Sequence, residues 1–589
     1  MMMAIAREIL SAFDDFLDDP AGILSEDARN FDRKGFGNKD LEDPALAYLS
    51  PGALPDPRKG CIIGVIDDAI PFAHQRFTLP GNLSRVASVW LQDARFRPGM
   101  GVDLPTGAEW RGAELSGLLD DLANGAIPDE DAIYRRTGAV DLTRPAPPSG
   151  AYETGHGAAV APLAAGFDPF DPQARNHPLI AVCLPPRITA DSMGVLAPVP
   201  IMAGIVFIIK RARRLCRFIE ARENLKPGSV RLPVVLNLSL GLTAGPRDGQ
   251  SPLERFMDAV VASEPSDLGR VHIVLPSGNH RQGRLRARLQ PGQQIEWRLP
   301  ADDMTINAIE IWGPPHAHPP QADLQVTLTV PGLAPATTAF TAPFQASVLT
   351  GPDGRRLAEA YYTPNQMPDG RWRDGIVVIA SPTCPERLGE SFTPPGAWQV
   401  GISSDAPGGI YDLSAQRDEV IRGFRRGARQ SWFHDPAYRG EDEAGRPIAE
   451  DAANGGAPRI IRTGTINSYA TGRGTLRAGA SYRGTKRVTI YTSLLDDGQP
   501  GDCLAPVDHS AATPWMIVRG RNSGSFTRSL GTSLAAPQLA RWLAIQLADG
   551  LAPDDRQAIR ALAQQQFGDQ ANPPADPPVI QFPARFPEF

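Results

Sequence analysis

The amino-acid sequence predicts an α/β protein with a doubly wound, mostly parallel sheet and an inserted antiparallel β-sandwich. Continuous apolar runs, such as CIIGVIDDAI from Cys61 and VHIVLPSGN from Val271, are typical of strands buried on both faces of a parallel sheet. Segments with apolar residues at helical spacing, at about 201–222 and 252–263, lie between such runs. Strands that alternate with helices indicate the α/β class.

The middle of the chain follows a different pattern. From about 283 to 458, short segments such as DLQVTLTVPG and GIVVIAS are separated by loops rich in proline and glycine. Their alternating apolar and polar residues predict an antiparallel sandwich. We therefore expect an N-terminal extension at 1–59, an α/β domain in two parts at 60–282 and 459–572, the inserted β-rich domain at 283–458, and a proline-rich tail at 573–589.

Length, charge and cysteine usage bound the class of protein. A chain of 589 residues is too long for one ordinary core, so about two to four domains are expected. A net charge of −7 argues against nucleic acid as the main partner, and the five cysteines form no C-x-x-C pair that would suggest zinc. Residues 1–20 lack the apolar core of a signal peptide, and no uncharged run reaches the length of a membrane span. We expect a cytoplasmic protein.

Chemically useful residues follow the predicted strands. Asp67 and Asp68 end the first apolar run, and Asn279 follows a later one. His156 stands between two glycines, and Ser533 precedes an apolar run that favours a helix. Sites in open parallel sheets form beyond the carboxyl ends of the strands. Each residue alone also has an ordinary structural explanation, as a strand end, a turn, a core histidine or a helix cap.

Four sequence blocks carry a family resemblance. In chain order, GVIDDAI, HGAAVAPLAAG, LPSGNH and GTSLAAP resemble the aspartate, histidine, asparagine and serine blocks of the subtilisin-like serine proteases (subtilases). The order Asp, His, Ser is the order of that family among enzymes with convergent triads. The resemblance covers 60–165, about 178–280 and 463–544, which is roughly half the chain. It implies a subtilisin-like sheet and a serine endopeptidase.

The resemblance also implies a role for each matching residue. Ser533 would be the nucleophile, and His156 the general base that later protonates the leaving amine. Asp67 would orient the imidazole and stabilise its charged form, and the Asn279 amide would bind the oxyanion together with the Ser533 N–H. Asp67 rather than Asp68 aligns with the catalytic position of the family.

Two further segments resemble the edges of the primary substrate pocket in that family. They comprise Ser239, Leu240 and Gly241 in one segment and Pro276, Ser277 and Gly278 in the other. Neither segment carries a charge, so an apolar or small substrate side chain is expected there.

The chain departs from the family pattern at three positions near the expected site. Ala69 stands where the family usually has glycine, and Ala159 and Pro162 replace a histidine and a glycine. None of these changes removes a reacting group. An additional segment at 93–148 is expected to form a lid or rim, and residues 46–57 are expected to lie extended across or near the cleft, with no independently folded prodomain before residue 60.

Two alternatives to hydrolysis stay open at this level. A catalytically silent scaffold could bind peptides in the same cleft. A peptide ligase or macrocyclase could pass the same acyl-enzyme to an amine, because both reactions share that intermediate. The expected substrate is a polypeptide, and the inserted domain could recognise a protein partner. No cofactor is expected, since calcium supports many relatives but no ligand set can be identified in this sequence.

Overall fold

The computed structural model describes most of the chain. The described residues are 47–97, 104, 106–151, 155–189, 194, 197–387, 389–404, 409–419, 427–451, 458–485, 487–568 and 577–580.

The regular elements are numbered in chain order. The helices are α1 Gly112–Ala123, α2 Glu130–Thr137, α3 His156–Ala165, α4 Pro186–Thr189, α5 Pro198–Arg222, α6 Pro252–Ala262, α7 Ala535–Ala548 and α8 Arg556–Phe567. The strands are β1 Ile62–Asp67, β2 Thr78–Leu79, β3 Leu83–Ser84, β4 Val86–Leu91, β5 Ala108–Arg111, β6 Leu179–Cys183, β7 Val234–Leu238, β8 Val271–Pro276, β9 Arg286–Leu289, β10 Gln294–Leu299, β11 Asn307–Trp312, β12 Gln325–Thr329, β13 Ala336–Thr337, β14 Ala346–Thr350, β15 Arg356–Tyr362, β16 Asn365–Gln366, β17 Trp372–Arg373, β18 Gly375–Ala380, β19 Gly396–Ser403, β20 Tyr411–Ala415, β21 Trp432–His434, β22 Leu476–Tyr482, β23 Cys503–Asp508, β24 Met516–Arg519 and β25 Phe526–Ser529.

The largest sheet among the described residues has eight strands in the order β23-β22-β8-β7-β1-β6-β4-β5. All neighbouring pairs are parallel except β4 and β5. Every residue of β1 is buried, as expected of a central strand covered on both faces. Helices α3 and α7 pack against each other and on β1, whereas α5 packs on β1 and β6 and against α6, which packs on β8. The predicted mixed α/β class with a mostly parallel sheet is confirmed.

Two separate antiparallel sheets form the inserted part of the chain. Within the described ranges, one has the order β13-β12-β19-β10-β21 and the other β14-β15-β18-β11-β20-β9. A single cluster of buried side chains joins them, with Trp297 and Trp398 from one sheet and Ile309 and Val378 from the other. The sheets therefore pack face to face, as the period-2 pattern predicts. We call this unit the inserted sandwich. Its buried cluster is distinct from that of the parallel sheet and extends to Ile460.

The expectation that residues 46–57 cross the cleft is wrong for the described part, 47–57. The Tyr48 carbonyl accepts a hydrogen bond from the Gly112 N–H, and the Tyr48 ring packs edge-on against Phe218 near the end of α5. Asp56 N–H donates to the side chain of Asn176, whose carbonyl binds Cys61 just before β1. These contacts lie at the amino ends of the parallel strands, opposite Asp67. Burial of Tyr48 and its apolar neighbours explains the placement.

The remaining predicted segments are partly described. The additional segment at 93–148 contains the edge strand β5 and helices α1 and α2, while 98–103 and 105 lie outside the described residues. Of the tail, 577–580 run beside β23, where Ile580 N–H donates to Leu504 O. The N-terminal residues 1–46 also lie outside the described part of the chain. No helix in the described ranges combines the length and apolar character that crossing a bilayer requires.

We predict that the inserted sandwich folds alone, because its buried cluster is separate from the core of the parallel sheet. Expressed as 283–462, it should give a β-type circular dichroism spectrum and a single cooperative melt. The matched segment 283–458 should melt at a lower temperature, because it lacks Ile460, which is fully buried. A helical spectrum, or equal melting temperatures for the two segments, would contradict this account.

Candidate active site

The carboxyl end of β1 and the first residue of α3 form a close polar contact. His156 Nδ1 lies 2.9 Å from Asp67 Oδ1 and 3.0 Å from Asp67 Oδ2. A carboxylate oxygen can only accept a hydrogen bond. Nδ1 therefore carries the ring proton and donates the hydrogen bond to Asp67. Asp67 is completely buried, whereas about 35% of the His156 side chain is exposed. In the neutral form of the ring, Nε2 therefore has a lone pair that can accept a proton, on a side chain that solvent or a ligand can reach.

Nearby charges change the basicity of this histidine. Burial disfavours the charged imidazolium, but the charge and the hydrogen bond of Asp67 outweigh burial and raise the pKa of His156 to about 9. The charge of Asp68 acts in the same direction, and that of Arg417 acts against it. The environment thus stabilises a proton on the imidazole, which is what a general base needs at the moment of reaction.

Asp68 holds the start of α3 rather than the imidazole. Its Oδ1 accepts the Gly157 N–H at 3.1 Å, at the helix end where an anion is favoured. Burial, together with the charge of Asp67, raises the pKa of Asp68 to about 6. A Cβ on Gly157 would lie 1.9 Å from the Asp68 carbonyl oxygen, so the two backbones are in direct contact. Asp68 and Gly157 together fix the helix that carries His156.

Ala69 retains the backbone conformation that usually calls for glycine. Its φ is 40°, in the left-handed region, which costs a residue with a Cβ on the order of 1 kcal/mol. The Ala69 N–H donates to Ser149 Oγ at 2.9 Å, which holds the turn. Gly155 supplies the space, since a Cβ there would lie 2.2 Å from the Ala69 Cβ. Ala69 thus adopts, at this turn, a backbone conformation that glycine would adopt without strain.

Ser533 lies in the 3₁₀ turn Thr532–Leu534 that leads into α7. This turn packs against α3, the helix that begins with His156. Ser533 Oγ donates to the Ser239 carbonyl at 3.5 Å, and Ser239 Oγ donates to the Ser533 carbonyl at 3.0 Å. Among the described residues, the structure gives the Ser533 hydroxyl this one partner and does not hydrogen-bond it to His156. The turn lies beside α3, with the Ser533 hydroxyl directed at Ser239.

The amide oxygen of Asn279 is hydrogen-bonded to the same turn. Its Oδ1 accepts from Thr532 N at 2.8 Å and from Thr532 Oγ1 at 2.9 Å. Because Thr532 donates two hydrogen bonds to the same atom of the amide, that atom is the oxygen. Nδ2 is therefore the amide atom that points away from these two donors. Gly531 adopts a φ of 113°, and a Cβ there would lie 2.9 Å from Nδ2. The Asn279 amide is thus held against the serine turn, with Nδ2 next to the Gly531 backbone.

The two expected pocket segments also reach this turn. Ser239 bonds to Ser533 as described, and Gly278 N–H donates to Thr532 Oγ1 at 3.0 Å. The Ser277 side chain is fully buried and bonds to the Pro500 carbonyl, so only its backbone could contact a ligand. Leu240, Gly241 and Pro276 lie against Asn467, a residue that the sequence analysis did not identify.

The inserted sandwich contributes residues that the sequence analysis missed. Gln416 Oε1 lies 3.3 Å from both the Thr243 and Ala244 N–H donors, just beyond the first pocket segment. Glu419 Oε1 lies 2.6 Å from Nε2 of His280, the residue after Asn279. The sandwich therefore touches the chain after both β7 and β8. No local pattern signals these contacts, because the partners are more than 130 residues apart in sequence.

Within the described ranges, no group of three or more histidine, cysteine, aspartate or glutamate side chains could hold a metal ion.

Comparison with known proteins identifies a similar fold. No protein-family model matches the chain, and no curated protein matches its sequence. Among solved structures, the structure of the Clostridium perfringens CspB protease is similar, with a TM-score of 0.57 over 88% of this chain and 90% of that chain. The two sequences are 15% identical, so the similarity concerns the fold alone.

We predict that the contact between Asp68 and Gly157 is necessary for stability. Gly157→Ala should lower the free energy of unfolding by about 1–3 kcal/mol, because the new methyl group meets a backbone carbonyl that cannot move aside. Gly117→Ala in α1 is the matched control, since nothing lies within 4 Å of its added Cβ, and it should be neutral or stabilising. Denaturant unfolding measures both. Equal effects of the two variants would contradict the proposed contact.

Proposed function

We propose that this protein is a subtilisin-like serine endopeptidase, which hydrolyses peptide bonds through an acyl-enzyme on Ser533. The observation that carries the proposal is the contact of His156 with both oxygens of buried Asp67, at the carboxyl end of β1. The serine turn packs against the helix that His156 begins. The fold, which is similar to that of a protease, is consistent with this function.

The first chemical step would use His156 as a base. Ser533 Oγ attacks the carbonyl carbon of the substrate, and its proton passes to Nε2 of His156. The hydroxyl must first rotate away from the Ser239 carbonyl, to which it forms a long hydrogen bond of 3.5 Å. Such loose geometry is common before substrate binds. Asp67 stabilises the resulting imidazolium, in agreement with the raised pKa of His156.

Neutral hydrogen-bond donors would stabilise the negative charge that develops on the substrate oxygen. Nδ2 of Asn279 and the N–H of Ser533 would bind the oxyanion. Asn279 suits this role because Thr532 fixes its oxygen and thereby the direction of its nitrogen. The carbon–nitrogen bond then breaks, the amine leaves with the proton from His156, and a water activated by the same histidine releases the acyl group.

The proposal extends to substrate class and location. We propose polypeptide substrates, a cytoplasmic location and a reaction without a cofactor. The inserted sandwich is a candidate site for a protein partner, and a net charge of −7 does not favour nucleic acid.

We predict that hydrolysis depends on Ser533 and His156 to a similar degree, because residues that act as a unit do not contribute additively. Ser533→Ala and His156→Ala should each lower kcat for an internally quenched peptide library by at least about 1,000-fold. Ser533→Ala should keep the wild-type melting temperature, whereas His156→Ala should lower it because buried Asp67 loses its imidazole donor. Ser229→Ala, an exposed serine between α5 and β7, is the control and should retain full activity. Full hydrolysis by Ser533→Ala would refute the proposal. Product masses that contain newly formed peptide bonds would indicate the ligase instead.

We predict an alkaline rise in activity, because only neutral His156 can accept the serine proton. The folded-state pKa of His156 is raised to about 9, so kcat/KM should increase with pH and reach half of its maximum well above pH 6.5. Asp67→Asn should be far slower and should move this midpoint to lower pH, because the charge that raises the pKa of His156 is lost. Asp68→Asn should retain more activity than Asp67→Asn. A wild-type midpoint at or below pH 6.5 would contradict this electrostatic account.

A further inference from the structure

A buried asparagine spans the gap between the two expected pocket segments. Asn467 Nδ2 donates to the Leu240 carbonyl at 2.9 Å and to the Pro276 carbonyl at 3.1 Å. Asn467 N–H also donates to the Ser277 carbonyl at 2.7 Å. One residue thus joins both segments, although it lies 227 residues from Leu240 in sequence.

The side chain of Asn467 is locked in this position. Its Oδ1 accepts from the N–H groups of Leu242 and Tyr469, each at 3.1 Å. Both amide protons and the amide oxygen are therefore used within the protein, and the residue is only 3% exposed. Moving this amide aside would leave two buried carbonyls without donors, which is costly.

The space next to Asn467 is closely filled. A Cβ on Gly241 would lie 2.5 Å from the Cγ, Nδ2 and Oδ1 atoms of Asn467, so the amide lies flat against the Gly241 backbone. On the other segment, a Cβ on Gly278 would lie 2.9 Å from Ser493 Oγ and 3.4 Å from Asn467 N. Little depth is left between the segments for a substrate side chain.

The filled gap adjoins the serine turn. Ser239, at the head of one segment, bonds to Ser533, and Gly278, at the end of the other, bonds to Thr532. The two segments are the pocket edges that the sequence resemblance implies, so a substrate whose carbonyl carbon sits at Ser533 would place the side chain of the same residue between them. That side chain would meet the Asn467 amide.

We infer that Asn467 closes the primary pocket and restricts the residue before the scissile bond to glycine, alanine or serine. The inference rests on the proposed function. It restricts the expected substrate side chain in the primary pocket from apolar or small to small only. The carbonyls of Leu240 and Pro276 already accept from the Asn467 amide, and neither segment carries an ionised group that would pair with a charged substrate side chain. Asn467 acts as a specificity-determining residue through the volume that it occupies.

The test compares substrates that differ at one residue. A peptide series with Gly, Ala, Ser, Val, Leu or Phe before the scissile bond gives kcat/KM for each. Wild type should prefer alanine to leucine and phenylalanine by at least about 100-fold, on the scale that pocket contacts provide. Asn467→Gly, which empties the gap, should raise kcat/KM for leucine and phenylalanine at least tenfold and should change the alanine value much less. For Asn467→Ala, kcat/KM for the leucine and phenylalanine peptides should lie between the values for wild type and for Asn467→Gly.

The outcomes separate this inference from the proposed function. Ser533-dependent hydrolysis by wild type that prefers leucine or phenylalanine overturns the inference alone, whether or not the variants fold. Folded Asn467→Gly with the wild-type preference also overturns it. Absence of hydrolysis of every peptide in the series, under conditions where the wild type is folded, overturns both.

Discussion

The contact between the end of β1 and the start of α3 determines the arrangement of the site. Two adjacent aspartates make different contacts there. Asp67 accepts a hydrogen bond from the His156 ring, and Asp68 accepts one from the Gly157 N–H. Both are buried, and two neighbouring buried carboxylates are unfavourable unless donors compensate them. The imidazole and the helix N-terminus provide those donors. The charge that raises the pKa of His156 and the contact that fixes its helix thus come from consecutive residues.

Contacts between residues far apart in sequence bring the serine turn and the asparagine to the same end of the sheet. Asn279, Ser239 and Gly278 converge on the turn at Thr532 and Ser533 from the ends of β7 and β8. The inserted sandwich lies beside the same strand ends through Gln416 and Glu419. Although it has its own buried cluster, it contacts the chain at the edge of the candidate site.

The residues that the sequence could group into one candidate site are those whose neighbours in the chain carry a recognisable pattern. Asp67, His156, Asn279 and Ser533 each follow or precede a buried segment, and the structure brings their elements together. Asn467 could not be predicted, because it lies in an irregular segment whose only signal is its contact with chain 190 or more residues away. Residues 47–57 lie away from the cleft because several of their apolar side chains are buried against the sheet, a tertiary contact that the local sequence does not reveal. Tyr48 and Leu49 are buried against the amino end of the sheet, far from the reacting groups.

The central claim is that Ser533 is a nucleophile activated by its surroundings. Treatment of the full chain with a fluorophosphonate, followed by peptide mapping in a mass spectrometer, tests it most directly. The account predicts one covalent adduct on the peptide that contains Ser533, formed at a rate that falls when the imidazole is protonated. A folded protein that stays unmodified at high reagent concentration and alkaline pH, or that carries the adduct on another residue, would contradict it.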